Sequence, residues 1–131
     1  MPSAVTTLFL LLCALFTKHF IMDFVIQTKY QLHNKGAYGH PGGLLHAGLH
    51  ALGSAPALLL FNPPLELIAA ICAAELVVHY HLDWAKEQVV ARHGWTARDS
   101  AFWNAFGLDQ LFHALTYLVM AFGIYWYTTT V

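Results

Sequence analysis

Three long stretches of this chain contain no Lys, Arg, Asp or Glu, and they cover residues 1–17, 36–65 and 110–131. Apolar runs of about 20 residues are long enough to cross the hydrocarbon core of a bilayer as helices. Charged residues make up only 10% of the chain, whereas soluble proteins contain roughly a quarter. A soluble all-α protein is therefore the weaker alternative, and the chain is expected to fold within a membrane.

Breaker residues divide the chain into four apolar segments. The first segment ends before the glycine- and proline-containing stretch YQLHNKGAYGHPGG, and the second stops at Asn62-Pro63-Pro64. The third is followed by the polar linker EQVVARHGWTARDS. Lipid admits only helices or closed barrels, and these segments lack the alternation of barrel strands. We therefore predict a single all-α domain over residues 1–131, a polytopic membrane protein folded as a four-transmembrane-helix bundle. Its helices are predicted at residues 4–28, 44–61, 65–86 and 101–127.

The basic residues predict how this bundle is oriented. Five of the six basic side chains follow the first or the third segment, namely Lys29, Lys35, Lys86, Arg92 and Arg98. Loops rich in Lys and Arg remain in the cytoplasm, so both termini are predicted to lie outside. The exception is Lys18, which lies inside the first segment.

The rest of the composition narrows the partners. No basic patch or aromatic–basic alternation suggests nucleic acid, so none is expected. The N-terminus lacks the basic region and cleavage site of a signal peptide, and the first segment is expected to be a retained helix. Cys13 and Cys72 lie in apolar segments without a spacing motif and are expected to be packing residues. The bilayer is the expected partner, and a homodimer remains an open alternative for so small a bundle.

Ionisable residues recur in all four segments with one spacing. An ionisable side chain within a membrane helix is costly, so its default interpretation is functional. Each segment contains two such residues four positions apart: His19 and Asp23, His46 and His50, His79 and Asp83, Asp109 and His113. Residues four apart lie on the same helix face. Each helix is therefore predicted to present two potential ligands along one stripe.

The order of residues within these pairs matches antiparallel helices. His precedes Asp on the first and third segments, whereas Asp precedes His on the fourth. With a rise of 1.5 Å per residue, this reversal predicts two layers of side chains about 6 Å apart. The layer nearer the basic loops is predicted to contain Asp23, His46, Asp83 and Asp109, and the deeper layer His19, His50, His79 and His113.

This donor set predicts a metal site. Mixed imidazole and carboxylate ligands suit Zn, Fe or Mn, so all eight residues are predicted to hold one or two divalent transition metal ions, with zinc favoured over iron or manganese. Eight candidates exceed the three or four protein ligands of one zinc ion. Two alternatives stay open: the eight residues bind two ions, or they bind one ion and the remaining residues orient its ligands. A structural polar network or a proton relay is the alternative for the whole set.

Other polar residues adjoin these pairs. Glu75 lies one turn deeper than His79, where an ionised carboxylate is costly. It is the predicted catalytic proton carrier, and a further ligand or a partner for Lys18 are its alternatives. Gln27 and Gln110 follow ligand carboxylates along the chain and would either hydrogen-bond to them or stabilise the bundle.

Taken in order, these motifs resemble those of a known family. The motifs are H-x-x-x-D-F-x-x-Q from His19 to Gln27, H-x-x-x-H at His46 and His50, H-x-x-x-D at His79 and Asp83, and D-Q-x-x-H from Asp109 to His113. They are similar to those of small bacterial and phage membrane proteins of unknown function, over roughly residues 8 to 120. A more distant resemblance is to bacterial inner-membrane proteins described as metal-dependent hydrolases, whose helices also carry paired His and Asp. These resemblances imply a bacterial inner (cytoplasmic) membrane protein.

The function predicted from these features is metal-dependent hydrolysis of a lipid-like ester or phosphoester. A bound ion would activate a water molecule and polarise the scissile bond, and Glu75 or an aspartate that binds no metal would carry the proton. The alternatives are a di-iron oxidoreductase and a non-enzymatic bundle that binds haem or transports metal. Transport is disfavoured because the half of the bundle beyond Glu75 offers almost no charged ligand.

Overall fold

The computed structural model describes residues 3–130, which form helices joined by turns and short loops, with no strands over that range. Four of its helices are long and apolar enough to cross a membrane, which confirms the predicted all-α class. In chain order the elements are α1 (Ala4–Phe20), a π turn (Ile21–Val25), α2 (Lys29–Asn34), α3 (Pro41–Leu58), a 3-10 turn (Leu59–Phe61), α4 (Leu65–His93) and α5 (Ser100–Thr130).

The end of the first helix differs from the prediction that it runs to Thr28. Helix α1 ends at Phe20, and a π turn with Asp23 at its centre follows it. Single π turns are rare overall, but those that occur are often at functional sites. Thr28 is instead the N-cap of helix α2, where its side chain and that of Gln31 form a capping box. Helix α2 lies in what the sequence analysis treated as a loop.

The other helices are longer than predicted at one or both ends. Helix α3 begins at Pro41 rather than at residue 44, because proline suits the first turn of a helix. Pro56 lies inside α3 and does not end it. Helix α4 continues past Lys86 to His93, since no breaker occurs before Gly94, which has a left-handed conformation with φ 65°. Helix α5 extends to residues 100 and 130.

The bundle has an apolar half and a polar half. The apolar half contains the start of α1, the end of α3, the start of α4 and the end of α5. Its buried core comprises Leu11, Leu15, Ala57, Leu58, Ile68, Tyr117, Met120, Ala121 and Ile124. The polar half contains the opposite ends of the same helices. The outside of the bundle exposes large apolar side chains such as Phe9, Leu52 and Val119, each about two-thirds exposed or more. A lipid environment removes the cost of exposing them to water.

Candidate metal centre

The polar half buries the side chains of all eight residues predicted as ligands. None of these side chains is more than 10% exposed, and those of His50, His79 and His113 are at most 2% exposed. Burying this many ionisable groups costs free energy unless they are paired, hydrogen-bonded or bound to an ion. Each of the eight side chains is therefore expected to have a hydrogen-bond partner, an opposite charge or an ion within the cluster.

The four histidines predicted for the deeper layer lie side by side. The ring centroids of His50 and His79 are 3.9 Å apart, and those of His79 and His113 are 4.2 Å apart. His19 closes the ring, with its centroid 5.1 Å from that of His113 and 5.2 Å from that of His50. Helices α1, α3, α4 and α5 thus each contribute one imidazole at a common level.

The aspartates lie together with His46 in a second layer, on the side of the histidine ring that is farther from the apolar half of the bundle. The Nε2 atom of His46 is 3.1 Å from an oxygen of Asp23 and 3.3 Å from an oxygen of Asp83. The amide of Gln110 donates to the third aspartate, Asp109, at 3.2 Å and to Asp23 at 3.4 Å. The π turn after α1 brings Asp23 into this layer.

Two groups of ligand atoms have the spacing of a metal site. The four-ligand group contains Asp23, His46, His50 and His79, and the three-ligand group contains His79, Asp83 and His113. Within each group the ligand atoms lie within 4.8 Å of one another. Ligands of a single zinc ion, at bond lengths of about 2 Å, lie roughly 3–4 Å apart, so small side-chain movements would suffice. Two residues predicted as ligands, His19 and Asp109, fall outside both groups.

Unpartnered atoms show where an ion would fit. Within residues 3–130, both ring nitrogens of His79, Nε2 of His113 and Oδ1 of Asp109 are buried without a hydrogen-bond partner. His79 Nε2 lies 3.4 Å from Asp83, but without hydrogen-bond geometry. Each buried unpartnered polar atom costs about 1–3 kcal/mol, and a divalent cation bound by His79 and His113 would remove that cost for the ring nitrogens it binds.

His113 has the orientation of a metal ligand. Its Nδ1 donates to the backbone carbonyl of Asp109 at 2.8 Å, so the lone pair is on Nε2. That Nε2 atom faces Asp83 at 3.8 Å. Histidines that bind metal generally donate their other ring nitrogen to a carbonyl or carboxylate, which fixes the tautomer. The donor set and the unpartnered atoms therefore fit a transition metal ion.

Lys35 is a buried member of the cluster that the sequence analysis assigned to a loop. It caps the C-terminus of α2, is 5% exposed, and its Nζ lies 3.1 Å from Asp83 and 4.0 Å from Asp23. Spacing along the chain could not have indicated this role, because Lys35 lies on a different element from both aspartates. The capping box at Thr28 and Gln31 was the signal that would have revealed α2.

A third polar layer lies between the histidine ring and the apolar half. Lys18 donates to Glu75 at 2.7 Å, to the Tyr117 hydroxyl at 3.0 Å and to the backbone carbonyl of His50 at 3.1 Å. One of the alternatives for Glu75, a partnership with Lys18, is thus present in the structure. The second oxygen of Glu75 is buried without a partner among the described residues.

Tyr117 connects this layer to the histidine ring, and the sequence analysis missed it. Its hydroxyl lies 3.0 Å from His19 Nδ1 and 3.5 Å from His50 Nδ1. The signal was available, since Tyr117 continues the four-residue spacing of Asp109 and His113 along α5. Residues related in this way lie on one helix face.

A small cavity, here called the polar chamber, opens beside the aspartates. Its volume is about 50 Å³ and its polar lining comprises Asp23, Gln27, Lys35, Lys86, Asp109 and Gln110. A cavity needs about 10–15 Å³ of such space to hold a water molecule, so the chamber has room for water. Asp109 therefore borders a space that can hold water, while its unpartnered Oδ1 is itself buried.

Comparison with known proteins identifies a family. A family model described as "Protein of unknown function (DUF3307)" matches residues 9–131. The match covers nearly the whole chain and includes every residue of the cluster. Neither the search of curated proteins nor the search of solved structures gave a match. The function therefore has to be argued from the chain's own residues.

Proposed function

We propose that this chain, which belongs to the DUF3307 family of proteins of unknown function, binds a transition metal ion within the membrane and hydrolyses a lipid-like ester or phosphoester. The observation that carries the proposal is the convergence of His79, Asp83 and His113 from two helices, with ring nitrogens that are buried and unpartnered. The expected membership of a family of unknown function is confirmed, whereas hydrolysis rests on the cluster alone.

The number of ligands supports a catalytic site at the three-ligand group. Catalytic zinc sites use three protein ligands and leave a position for water or substrate, while structural sites use four. The three-ligand group of His79, Asp83 and His113 leaves such a position. The four-ligand group shares His79 with the three-ligand group, so a second ion bound at the same time as the first would have Asp23, His46 and His50 as its remaining protein ligands. Zinc is our preferred ion, and iron or manganese suit the same donors.

Asp109 is placed to move the proton. Its Oδ1 is unpartnered and lies 3.6 Å from the His113 ring, and the residue lines the polar chamber. In the proposed reaction Asp109 accepts a proton from the attacking water. The water oxygen then bonds to the phosphorus or carbonyl carbon, the bond to the leaving alcohol breaks, and Asp109 returns the proton to that alcohol. When bound, a divalent ion supplies activation of the water and polarisation of the scissile bond.

Glu75 stays a predicted catalytic residue, but its connection to the histidine ring is less direct than that of Asp109. It reaches the histidine ring through a chain of hydrogen bonds that runs from Glu75 to Lys18, Tyr117 and His19. Such a chain suits proton transfer between the centre and the Lys18–Glu75 pair. Asp109 is nearer to the three-ligand group and is our first candidate for the proton acceptor.

The position of the cluster supports a substrate that is partly in lipid. The polar chamber lies at the end of the bundle that carries Lys35 and Lys86, and basic residues at one end favour a cytoplasmic location for that end. An amphipathic substrate would place its headgroup at this level and its hydrocarbon chain along the bundle. We therefore propose a substrate from the inner leaflet of a bacterial inner membrane.

A di-iron oxidoreductase is the second candidate. It is favoured by the two adjacent groups of ligand atoms that meet at His79, because paired metals in bundle cores are held by carboxylates and histidines from facing helices. Haem binding is less compatible with the geometry, since the rings of His50 and His79 pack 3.9 Å apart with no space between them for a macrocycle. Metal transport conflicts with the apolar core that fills the other half of the bundle.

Elemental analysis and an optical spectrum of the detergent-purified protein test the proposal. We expect about one or two zinc ions per chain and no visible absorbance. The His79→Ala variant should lose metal, whereas His81→Ala, an exposed histidine on the same helix, should keep it. Equal metal content in these two variants would show that the cluster is not the metal site. Iron with near-ultraviolet absorbance would favour the di-iron candidate, and a Soret band would indicate haem.

Hydrolysis is tested separately from metal binding. The Asp109→Asn variant should retain metal, because Asp109 lies outside both ligand groups, and should lose turnover by about two to four orders of magnitude as a general base. Phosphatidic acid and an isoprenyl monophosphate serve as substrates, with release of inorganic phosphate as the readout. A metal-loaded wild-type protein that hydrolyses neither these nor a carboxylic ester of similar chain length would refute the hydrolase assignment and leave the metal site standing.

A further inference from the structure

The lipid-facing surface between α4 and α5 contains a groove beside the polar chamber. Its first part has a volume of about 180 Å³, and its polar lining residues are Lys86 and Asp109. The same two residues line the polar chamber, so the groove and the chamber are neighbours at these side chains. Apart from them, the first part is lined by Leu82, Ala85, Val89, Ala105, Leu108 and Phe112.

The groove continues deeper along the same two helices. A second cavity of about 360 Å³ shares Leu82 and Phe112 with the first part and extends to Val78 on α4 and Val119 on α5. At 1.5 Å per residue, the distance along α4 from Val78 to Lys86 is about 12 Å. That is most of one leaflet, which is half of a hydrocarbon thickness of about 30 Å. We call these two parts together the α4–α5 groove.

We infer that the α4–α5 groove holds the hydrocarbon chain of a lipid whose anionic phosphate headgroup lies at Lys86 and Asp109, at the mouth of the polar chamber. This inference rests on the proposed function, because it names the substrate class and the binding site for the same centre. Lys86 and Asp109 are the charged residues of the groove lining, and the lining deeper in the bundle than these two is apolar except for Thr116, which is a polarity that suits a single-headed lipid.

The chamber is lined by two lysines and two carboxylates, so it suits an anionic headgroup when a divalent ion offsets the carboxylates. Lys35 is paired with Asp83 and Asp23, and Lys86 is paired with Glu87. A divalent ion bound by the aspartates would replace Lys35 as their counter-charge. The ammonium group of Lys35 would then be available to a phosphate, and Lys86 faces the same space. Lysine is a common phosphate ligand, and the binding of the headgroup should therefore depend on the metal.

A competing groove lies between α1 and α3. It has a volume of about 470 Å³ and is lined by residues that include Cys13, Lys18 and Gly53. This groove meets Lys18, which is already bonded to Glu75, Tyr117 and a backbone carbonyl, and none of the aspartates lines it. It therefore lacks the connection between an apolar channel and the candidate centre.

The test is lipid binding by the purified full-length chain loaded with zinc, followed by native mass spectrometry with dioleoyl phosphatidic acid as the probe. Zinc content is measured on the same sample. Ala85→Phe fills the groove from α4, and Ala105→Phe fills it from α5 in case the first variant does not fold. Ala74→Phe is the matched control, because Ala74 is also exposed on α4 but lines none of the described cavities. Cys13→Phe fills the competing groove.

We expect the groove-filling variants to bind phosphatidic acid about tenfold more weakly than wild type, because a few buried methylene groups lose their contacts. The Ala74→Phe and Cys13→Phe variants should bind like wild type. Dioleoyl phosphatidylcholine should bind about tenfold more weakly than phosphatidic acid, and glycerol 3-phosphate, which lacks a chain, should not compete. Removal of zinc with a chelator should weaken the binding of phosphatidic acid to wild type.

Three results would overturn the inference: equal affinity of Ala85→Phe and Ala74→Phe, loss of binding in Cys13→Phe instead, or equal affinity for the two lipids. If the protein takes up no zinc, iron or manganese, the elemental analysis refutes the proposed function by itself. Lipid binding in the groove is then tested on the metal-free protein with Ala85→Phe and Ala74→Phe. Weaker binding by Ala85→Phe alone would still support a lipid chain in the groove, and equal binding would overturn it.

Discussion

The amine of Lys18 lies 2.7 Å from the carboxylate of Glu75, and this ion pair is buried between α1 and α4, with side chains 8% and 1% exposed. Removing one member of a buried ion pair costs about 3–5 kcal/mol, because it leaves a buried charge without compensation, whereas replacing both by apolar residues is often neutral. The two charges are therefore expected to stabilise the protein mainly by compensating each other.

Single substitutions in this pair should destabilise the protein more than the double substitution. We expect Lys18→Met and Glu75→Gln each to lower the free energy of unfolding by about 3 kcal/mol, and Lys18→Met/Glu75→Leu to lower it by clearly less. Unfolding by SDS in mixed micelles gives the measurement, and Lys29→Met, at an exposed lysine, is the control. A double variant that loses the sum of the two single effects would show that the pair does not act as a unit.

The same double variant tests the predicted catalytic role of Glu75. If Glu75 carries the proton, Lys18→Met/Glu75→Leu should bind metal like wild type yet lose about two orders of magnitude or more in turnover. If Asp109 carries it, turnover should persist in the double variant and disappear in Asp109→Asn. Metal content and phosphate release, measured on the same preparations, separate these two outcomes.

The hydroxyl of Tyr117 should contribute to metal affinity without binding metal. It contacts Lys18 and His19 at 3.0 Å and lies 3.5 Å from His50. Loss of such an orienting partner typically costs 10–100-fold in metal affinity, and we expect at least tenfold for Tyr117→Phe in competition with a chromogenic chelator. Tyr125→Phe is the control, since the Tyr125 hydroxyl makes no hydrogen bond within residues 3–130. If Tyr117→Phe unfolds more easily but keeps its affinity, Tyr117 has only a structural role.

The periodic part of the site was predictable from the sequence. Four-residue spacing places His79 and Asp83 on one face of α4, and the reversed order on α5 matches the antiparallel direction of that helix. Lipid restricts the backbone to helices, so the elements themselves follow from the apolar segments. These two constraints are local and depend only on the order of residues, which is why the histidine ring agrees with the predicted layer.

The parts that sequence reasoning missed depend on non-periodic structure. The π turn after α1 resets the helical phase at Asp23, so regular spacing cannot indicate which groups Asp23 contacts. Lys35 reaches the cluster because α2 folds back onto α3, and that packing depends on a glycine rather than on a charged motif. Which histidines form a ligand group and which lie beside it is likewise decided by distances of a few ångströms between helices.

Gly42 should tolerate alanine poorly because α2 packs directly against it. A Cβ atom at Gly42 would lie 2.8 Å from the backbone oxygen of Tyr30 and 3.0 Å from Cβ of Asn34, whereas one at Gly48 would meet nothing within 4 Å. We expect Gly42→Ala to lower the free energy of unfolding by about 1–3 kcal/mol through overpacking. Gly48→Ala, also in α3, should be neutral or stabilising by up to about 1 kcal/mol. Equal effects in SDS unfolding would contradict this packing of α2 on α3.

Lys35 should oppose metal binding while stabilising the protein that lacks metal. Its ammonium group lies 3.1 Å from Asp83 and 4.0 Å from Asp23, two carboxylates that a divalent ion would need. An ion and Lys35 therefore compete for the same negative charge, and the coupling between them is unfavourable to binding of the ion. Removal of the ammonium group leaves the aspartates uncompensated until an ion replaces it.

We accordingly expect Lys35→Met to lower the free energy of unfolding of the chelator-treated protein by about 3 kcal/mol and to raise the affinity for zinc roughly tenfold. Unfolding at zero and saturating zinc measures the first effect, and competition with a chelator measures the second. Because tighter binding adds stability by mass action, the difference in stability between Lys35→Met and wild type should narrow as zinc is added. Lys29→Met, at an exposed lysine on the same short helix, should change neither quantity. Weaker zinc binding by Lys35→Met would show that Lys35 supports the site instead of competing with the ion.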